Sequence, residues 1–193
     1  SCRFLWQTHS SESFFGASPE RLLSLKGSNF CSDALAGTSS TNLPKTDLFR
    51  SDKDRREHDV VVRSIVDRLR ELDLSPRFSS VPSLVQHGKL FHLHTPIFSR
   101  VNFNLQTPLD LVKALHPTPA VAGSPLIDAL AWIRALEPYD RGRYAAPIGW
   151  INSRGYSEFR VAIRCGNTRG RQLDVMAGAG LVKGSIEQKE LNE

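Results

Sequence analysis

The stretch SDKDRREHDVVVRSIVDRLREL, residues 51–72, has the clearest periodicity in the chain. Val61, Ile65 and Leu69 recur every four residues, which predicts a helix with one apolar face. A serine at the start of the stretch is a favoured N-terminal cap. Extending the apolar stripe back by one turn reaches Glu57, so a carboxylate lies in line with core positions. We expect this acid at the rim of the core or facing a cavity.

Shorter runs on both sides of this helix carry the features of strands separated by turns. They are SFFGASPERLLSLKG (13–27), SNFCSDALAGT (28–38), VPSLVQHG with KLFHLHTPIF (81–98), PIGWIN (147–152), SEFRVAIRCG (157–166) and RQLDVMAGAG (171–180). LDLVKALHP (109–117) and PLIDALAWIRAL (125–136) predict short helices, and residues 39–44 predict a loop. Because strands outnumber helices and several form hairpins, the expected fold class is α+β with a mostly antiparallel sheet.

The bulk composition restricts the classes of function. With 193 residues, 40% hydrophobic and 23% charged, the chain fits one soluble domain. No apolar run approaches ~18–20 residues and no signal peptide is recognisable, so we expect no membrane partner and a cytoplasmic or organelle-stroma location. The net charge of +5 comes from scattered arginines, which argues against nucleic acid and suits a small anionic substrate. Three distant cysteines predict free thiols.

Five blocks of sequence carry a more specific signal. They are SPERLL (18–23), LAGT (35–38), KDRREHDVVV (53–62), LHPTPAVAGSP (115–125) and a C-terminal group, YDRGRYAAPIGW, VAIRCG and AGAGLVKGS (139–185). In this order and spacing they resemble the chorismate-binding enzyme family, over nearly the whole chain. The resemblance implies part of that family's α/β sandwich, with mostly antiparallel sheets and outer helices, and chorismate as the small-molecule substrate.

Two features point to one branch of that family. LHPTPAVAGSP is similar to the version found in isochorismate synthases, and Ala36 stands where some relatives carry a lysine nucleophile. The resemblance therefore implies that water adds at C2 of chorismate while the C4 hydroxyl departs. Salicylate synthase, which goes on to eliminate pyruvate, and a non-catalytic fragment that only binds ligand or a partner remain alternatives.

The resemblance also implies roles for acidic residues. Glu20 in SPER would be the general acid that protonates the departing hydroxyl, which requires a raised pKa. Mg²⁺, a hard cation that prefers oxygen ligands, would hold one substrate carboxylate. Its implied ligands are Glu57 in REHD and the terminal pair Glu190 and Glu193.

The remaining implied site residues would contact the substrate. Arg164 and Tyr144 would hold the enolpyruvyl carboxylate, because a planar guanidinium suits a carboxylate. Thr38 and His92 would line the ring, and glycines would let the backbone approach the ligand. These glycines are Gly37, Gly178 and Gly180. Four other polar residues are interpreted as structural: His58, His94, His116 and Glu158.

The chain departs from the family pattern in its lysines. The family's general base is a lysine well before SPER, and none occurs among the nineteen residues before Glu20. A second family lysine lies four residues past the last metal acid, where this chain stops. We therefore expect residues 1–193 to be a chorismate-binding domain truncated at both ends and inactive alone.

Overall fold

The computed structural model describes residues 2–9, 12–42 and 44–192, which form two antiparallel sheets with helices beside them. The strands are β1 (Cys2–His9), β2 (Glu12–Ser18), β3 (Arg21–Lys26), β4 (Asn29–Ser40), β5 (Ser83–His87), β6 (Leu90–Arg100), β7 (Pro147–Ile151), β8 (Ser157–Val161), β9 (Cys165–Arg169) and β10 (Gln172–Met176). The helices are α1 (Lys45–Arg50), α2 (Asp52–Glu71), α3 (Pro108–Leu115), α4 (Pro119–Ala122), α5 (Leu126–Leu136) and α6 (Glu187–Asn192). The predicted α+β class is confirmed.

The two sheets differ in size and in what covers them. The smaller sheet has the strand order β1-β2-β9-β10, and the larger has the order β5-β6-β4-β3-β8-β7. Helix α2 packs on the larger sheet, mainly against β4. The main hydrophobic core lies between this helix and that sheet.

Helix α2 confirms the periodicity seen in the sequence. Its cap is Ser51, whose Oγ accepts a hydrogen bond from the Asp54 N–H over 3.2 Å. Val61, Ile65 and Leu69 are buried in the main core. Burial of each such side chain contributes about 1.5–3 kcal/mol, so the stripe holds the helix on the sheet.

The chain passes from one sheet to the other at two neighbouring links. The first link follows β2 and contains Glu20, and the second follows β8 and contains Arg164. The Ala17 N–H donates to the Arg164 carbonyl over 3.1 Å, and the Val161 N–H donates to the Glu20 carbonyl over 3.2 Å. These two hydrogen bonds hold the links side by side where the sheets meet.

The prediction of one continuous strand over residues 157–166 is wrong. Strand β8 ends at Val161 in the larger sheet, and β9 begins at Cys165 in the smaller one. Arg164 lies between them with φ of 52°, in the left-handed region that non-glycine residues rarely adopt. The backbone turns there, which ends the extended run and sends the chain across to the other sheet.

Smaller differences concern strand ends and short elements. Strand β4 runs to Ser40, so the predicted loop over 39–44 is shorter than expected, and β10 stops before residues 177–180. Strand β1 and the short helices α1 and α4 were not predicted. No helix within the described ranges is both long and apolar enough to cross a membrane.

Candidate active site

A cleft of about 1400 Å³ lies where the two sheets meet. Its walls come from β1, β2, β9 and β10 of the smaller sheet, from β4 and β6 of the larger sheet, and from helices α2 and α6. Nine of the residues that the sequence singled out line it: Glu20, Thr38, Glu57, His92, Tyr144, Arg164, Gly178, Gly180 and Glu190. Glu193 lies outside the described residues.

Glu20 is the most deeply buried acid in this group, with 5% of its surface exposed. Burial raises its pKa to about 7, with a smaller upward contribution from the charge of Asp33 and an opposing hydrogen bond from Thr118. A carboxylic acid with this pKa is substantially protonated near neutral pH. It can therefore donate a proton, which is the property that a general acid needs.

The Ser18 hydroxyl fixes the backbone that carries this acid. Ser18 is fully buried, and its Oγ donates to the Val161 carbonyl over 2.6 Å. The same Oγ accepts the Glu20 N–H over 3.2 Å. The Val161 N–H in turn donates to the Glu20 carbonyl, so one backbone polar group of Glu20 is held by Ser18 and the other by the last residue of β8.

Arg164, His92 and Thr38 form a short polar row on the cleft wall. An Arg164 Nη2 lies 3.4 Å from His92 Nε2, and Thr38 Oγ1 lies 3.1 Å from His92 Nδ1. Burial, followed by the positive charge of Arg164, lowers the pKa of His92 to about 4. His92 is therefore neutral near pH 7, with Nε2 accepting from Arg164 and the proton on Nδ1. Arg164 itself is exposed to the cleft and available to an anion.

The backbone of residues 177–180 approaches two of these side chains closely. A Cβ built on Gly178 would lie 2.9 Å from the Tyr144 hydroxyl, and one on Gly180 would lie 2.7 Å from Glu57 Oε1. Both glycines therefore allow contacts that alanine would obstruct. Burial raises the pKa of Tyr144, so its hydroxyl stays protonated and can donate to an anion.

Gly37 lies close to helix α2. It lies at a bulge of β4 with φ of 75°, and a Cβ there would lie 3.1 Å from both the Cβ and the carbonyl oxygen of Asp54 on α2. The observed reason for glycine at this position is thus the packing of the strand against the helix. Its predicted contact with a ligand stays a prediction.

Glu190 is buried and paired with a lysine. The Lys53 Nζ on α2 lies 2.5 Å from Glu190 Oε1 on α6. Burial opposes ionisation of Glu190, but hydrogen bonds from Lys53 and Ser185, together with the lysine charge, lower its pKa. Burial likewise opposes the charge on Lys53, yet the bond to Glu190 and the charges of Glu190, Asp54 and Glu57 raise its pKa. Lys53 therefore lies in the electrostatic field of two of the three predicted metal ligands, Glu57 and Glu190.

The donor chemistry at this place fits a hard cation. Two carboxylates, Glu57 and Glu190, line the same cleft, and carboxylate oxygens are the ligands that Mg²⁺ prefers. Within the described ranges no three acidic, histidine or cysteine side chains are grouped closely enough to hold a metal ion. The third predicted ligand, Glu193, falls outside those ranges.

Three of the four residues interpreted as structural have side-chain partners inside the protein. His58 Nε2 lies 2.9 Å from Thr95 Oγ1, and His94 Nε2 lies 3.0 Å from Asp33 Oδ1. Glu158 pairs with an arginine of the same strand. These contacts account for three of the four without any role in the cleft.

Three residues that position the site were not identified from the sequence: Ser18, Lys53 and Thr118. All three lie within quoted blocks, SPERLL, KDRREHDVVV and LHPTPAVAGSP, so their positions were noted although their roles were not. Thr118 stands just before a proline that begins α4, a pattern that indicates a helix cap. Its contact with Glu20 has no local signal in the sequence.

A comparison with known protein families identifies the family of this chain. Residues 1–193 match a family model described as chorismate binding enzyme. The chain therefore belongs to the chorismate-binding enzyme family, and the resemblance drawn from the five blocks is confirmed.

Two of the similar curated proteins are isochorismate synthases. The chain is 37% identical to isochorismate synthase DhbC of Bacillus subtilis over 194 residues, which is 97% of this chain and 49% of that protein. It is also 37% identical to isochorismate synthase EntC of Escherichia coli over 185 residues, covering 92% of this chain and 47% of the relative. The chain thus spans about half the length of the curated relatives it matches.

Solved structures show the same fold. The crystal structure of a 2,3-dihydroxybenzoate-specific isochorismate synthase, DhbC from Bacillus anthracis, superposes with a TM-score of 0.88 at 32% identity, covering 98% of this chain and 53% of the other. Anthranilate synthase component I from Streptococcus pneumoniae superposes with a TM-score of 0.86 at 27% identity, covering 99% of this chain and 43% of the other. The fold is therefore shared across more than one chorismate-related activity.

Proposed function

We propose that residues 1–193 form part of a chorismate-binding domain and that the full-length protein is an isochorismate synthase. The proposal rests mainly on one observation: Glu20 is buried with its pKa raised to about 7, and it lies in the same cleft as the exposed Arg164. An acid that holds its proton near neutral pH, in the same cleft as an exposed arginine, suits the protonation of a leaving hydroxyl on an anionic substrate. The identity to named isochorismate synthases supports this choice of reaction.

In this proposal Glu20 acts as the general acid. Hydroxide is a poor leaving group, so its departure from C4 of chorismate needs a proton at the moment the bond breaks. Glu20 delivers that proton and becomes a carboxylate. The backbone of Glu20 is held by Ser18 Oγ at its N–H and by the Val161 N–H at its carbonyl, and Ser18 Oγ also donates to the Val161 carbonyl. These bonds limit how far the acid can shift during this step.

The polar row on the cleft wall orients the substrate. Arg164 and Tyr144 bind the enolpyruvyl carboxylate, the first as a charged fork and the second as a neutral donor. His92, held neutral, orients the arginine through Nε2 and is itself held by Thr38. Because the His92 imidazole is neutral, Arg164 carries the only positive charge of this pair. The pair therefore matches the single negative charge of one carboxylate.

The second substrate carboxylate requires a different group. Glu57 and Glu190, with Glu193, would hold Mg²⁺, and the donor set of carboxylate oxygens fits that ion. When bound, the ion would neutralise the ring carboxylate and fix its position. The base that activates water is proposed to lie in the part of the relatives' length that residues 1–193 do not span.

Product analysis tests the proposed function. The full-length protein, incubated with chorismate and Mg²⁺, should yield isochorismate above the no-enzyme level on chromatography. Glu20→Gln should lower kcat by about 10²–10⁴-fold, the usual contribution of a positioned general acid, and should change substrate affinity far less. Salicylate with pyruvate as the main product would replace this function by salicylate synthase. The absence of any chorismate-derived product would refute it.

A further inference from the structure

Thr118 lies next to the carboxyl group of Glu20, a residue that lines the cleft. Its Oγ1 is 3.5 Å from Glu20 Oε1, and the two residues are 98 positions apart in the chain. Thr118 is 3% exposed and Glu20 is 5% exposed, so little water competes for either group. The distance is at the long end for an O–H···O hydrogen bond, and catalytic hydrogen bonds tighten when the substrate complex forms.

The Thr118 side chain does not cap helix α4, although its position at the start of that helix predicts such a cap. Thr118 occupies the N-cap position of α4, where a threonine hydroxyl usually accepts a hydrogen bond from the helix backbone. No such side-chain bond is present at this cap. The hydroxyl is instead directed to Glu20, and a buried hydroxyl without a partner would be costly.

The loop that carries Thr118 is braced from behind by α2. Arg68 Nη1 donates to the Ala114 carbonyl over 2.9 Å and to the Pro117 carbonyl over 3.3 Å. The second contact fixes the residue directly before Thr118. The hydroxyl is therefore held in place by the same helix that carries Glu57.

We propose that Thr118 is a positioning residue for Glu20, holding one oxygen of its carboxyl group so that the acidic proton resides on the other. This inference rests on the proposed function of Glu20 as general acid. The threonine has a single hydroxyl proton, and donating it to Oε1 occupies that oxygen as an acceptor. The proton of the neutral acid then sits on Oε2, which fixes the oxygen that delivers it.

The groups around Glu20 determine in which direction its pKa should move when the Thr118 hydroxyl is removed. Burial raises the Glu20 pKa, the charge of Asp33 on β4 raises it further, and the Thr118 hydrogen bond lowers it. Arg164 and Glu57 line the same cleft, and His116 on the Thr118 loop has its pKa lowered by burial and by Arg68. A donor to a carboxylate stabilises the charged form, so its removal raises the pKa of Glu20.

The experiment follows Glu20 directly in the full-length protein. Glutamate labelled with ¹³C at the carboxyl carbon is incorporated, the Glu20 signal is assigned by its loss in Glu20→Gln, and its titration midpoint is measured. Thr118→Val keeps the shape and removes the hydroxyl, so the midpoint should move to higher pH. Thr118→Ser restores the hydroxyl and should return the midpoint toward the wild-type value.

A matched control separates positioning from stability. Thr107 caps α3 with a capping box and is exposed, so Thr107→Val should lower the melting temperature without moving the Glu20 midpoint. In activity assays, Thr118→Val should lower kcat by about 10-fold or more with little change in KM, and should move the alkaline limb of the pH profile upward.

The outcomes distinguish this inference from the proposed function. An unchanged midpoint in Thr118→Val, or a Thr118→Ser variant that behaves like valine, would overturn the role of Thr118. If the midpoint moves as expected but the wild-type protein makes no isochorismate, the proposed reaction fails while the coupling of Thr118 to Glu20 stands.

Discussion

Lys53 Nζ and Glu190 Oε1 lie 2.5 Å apart and join the first turn of α2 to helix α6. The carboxylate end of this pair is buried, and the ammonium end is about three-quarters covered. Glu190 is also a proposed cation ligand, so the lysine occupies an oxygen that a metal would use. The ammonium of Lys53 is the positive partner of this carboxylate in the described structure.

Replacing this lysine should make α6 dependent on a divalent cation. In Lys53→Met the buried Glu190 loses its positive partner, and Mg²⁺ can supply the missing charge. We expect Mg²⁺ to raise the melting temperature of the full-length Lys53→Met variant more than that of the wild type. Arg70→Met, which removes an exposed ion pair with Asp67, is the control and should respond like the wild type. An equal Mg²⁺ response in all three would contradict the placement of a cation at Glu190.

Glu20→Gln should stabilise the protein at alkaline pH. The Glu20 pKa rises from 4.5 in the unfolded chain to about 7 in the folded one, so the folded state keeps a proton that the unfolded state releases. The stability linked to this proton is complete below pH 4.5 and is lost as pH rises through 7, an effect of about 3 kcal/mol. Glutamine does not titrate, so the unfolding free energy of the variant should exceed that of the wild type increasingly from pH 5 to pH 8. Parallel pH curves from denaturant titrations would refute the raised pKa.

His92→Gln should flatten the acid side of the stability curve. The His92 pKa falls from 6.5 in the unfolded chain to about 4 in the folded one, so between these values the unfolded state binds a proton that the folded state does not. Stability is therefore lost as pH falls from 6.5 toward 4, and the variant should lose less over that interval. His87→Gln is a useful comparison, since burial lowers its pKa too but it does not line the cleft. Equal losses of stability in His92→Gln and the wild type between pH 6.5 and pH 4 would contradict the lowered pKa of His92.

Gly180→Ala should impair activity with little effect on folding. A Cβ at this position would lie 2.7 Å from Glu57 Oε1, the far end of a flexible side chain that can turn away. We expect a melting temperature within a few degrees of the wild type and a weaker dependence of activity on Mg²⁺, because Glu57 is displaced. Steady-state rates across a Mg²⁺ series provide the measurement. A wild-type Mg²⁺ response would show that Glu57 is not a ligand.

The chain of residues 1–193 expressed alone should self-associate. The smaller sheet exposes Leu5, Trp6, Leu173 and Val175, each at least half exposed. Apolar side chains on exposed edge strands invite pairing between copies. Light scattering should detect particles larger than a monomer, and charged substitutions at Leu173 and Val175 should reduce them. A monodisperse monomer with a cooperative melt above about 60 °C would contradict this expectation.

Sequence reasoning succeeded where a local pattern or a motif carries the information. The period of four over Val61, Ile65 and Leu69 predicted α2, and the blocks placed Glu20 and Arg164 in one cleft. It failed at residues 157–166 because the left-handed turn falls on an arginine, so no glycine marks the break.

Contacts between distant segments have no such local pattern. Thr118 and Glu20 are 98 positions apart, and Lys53 and Glu190 are 137 apart. Nothing in either short stretch specifies its partner, so only the assembled fold brings the two ends together. The roles of the positioning residues could therefore not be predicted, although the motif positions could.

The two side-by-side links between the sheets have a mechanical consequence. Glu20 and Arg164 sit on the links themselves, and the bonds from Ala17 and Val161 fasten one link to the other. When two sheets rotate about a common hinge axis, the residues on that axis move least. We expect thermal swinging of the sheets to widen and narrow the mouth of the cleft while the distance from acid to arginine stays constant. Slower amide exchange at Ala17 and Val161 than at the cleft-facing residues of β10 would reveal that pivot.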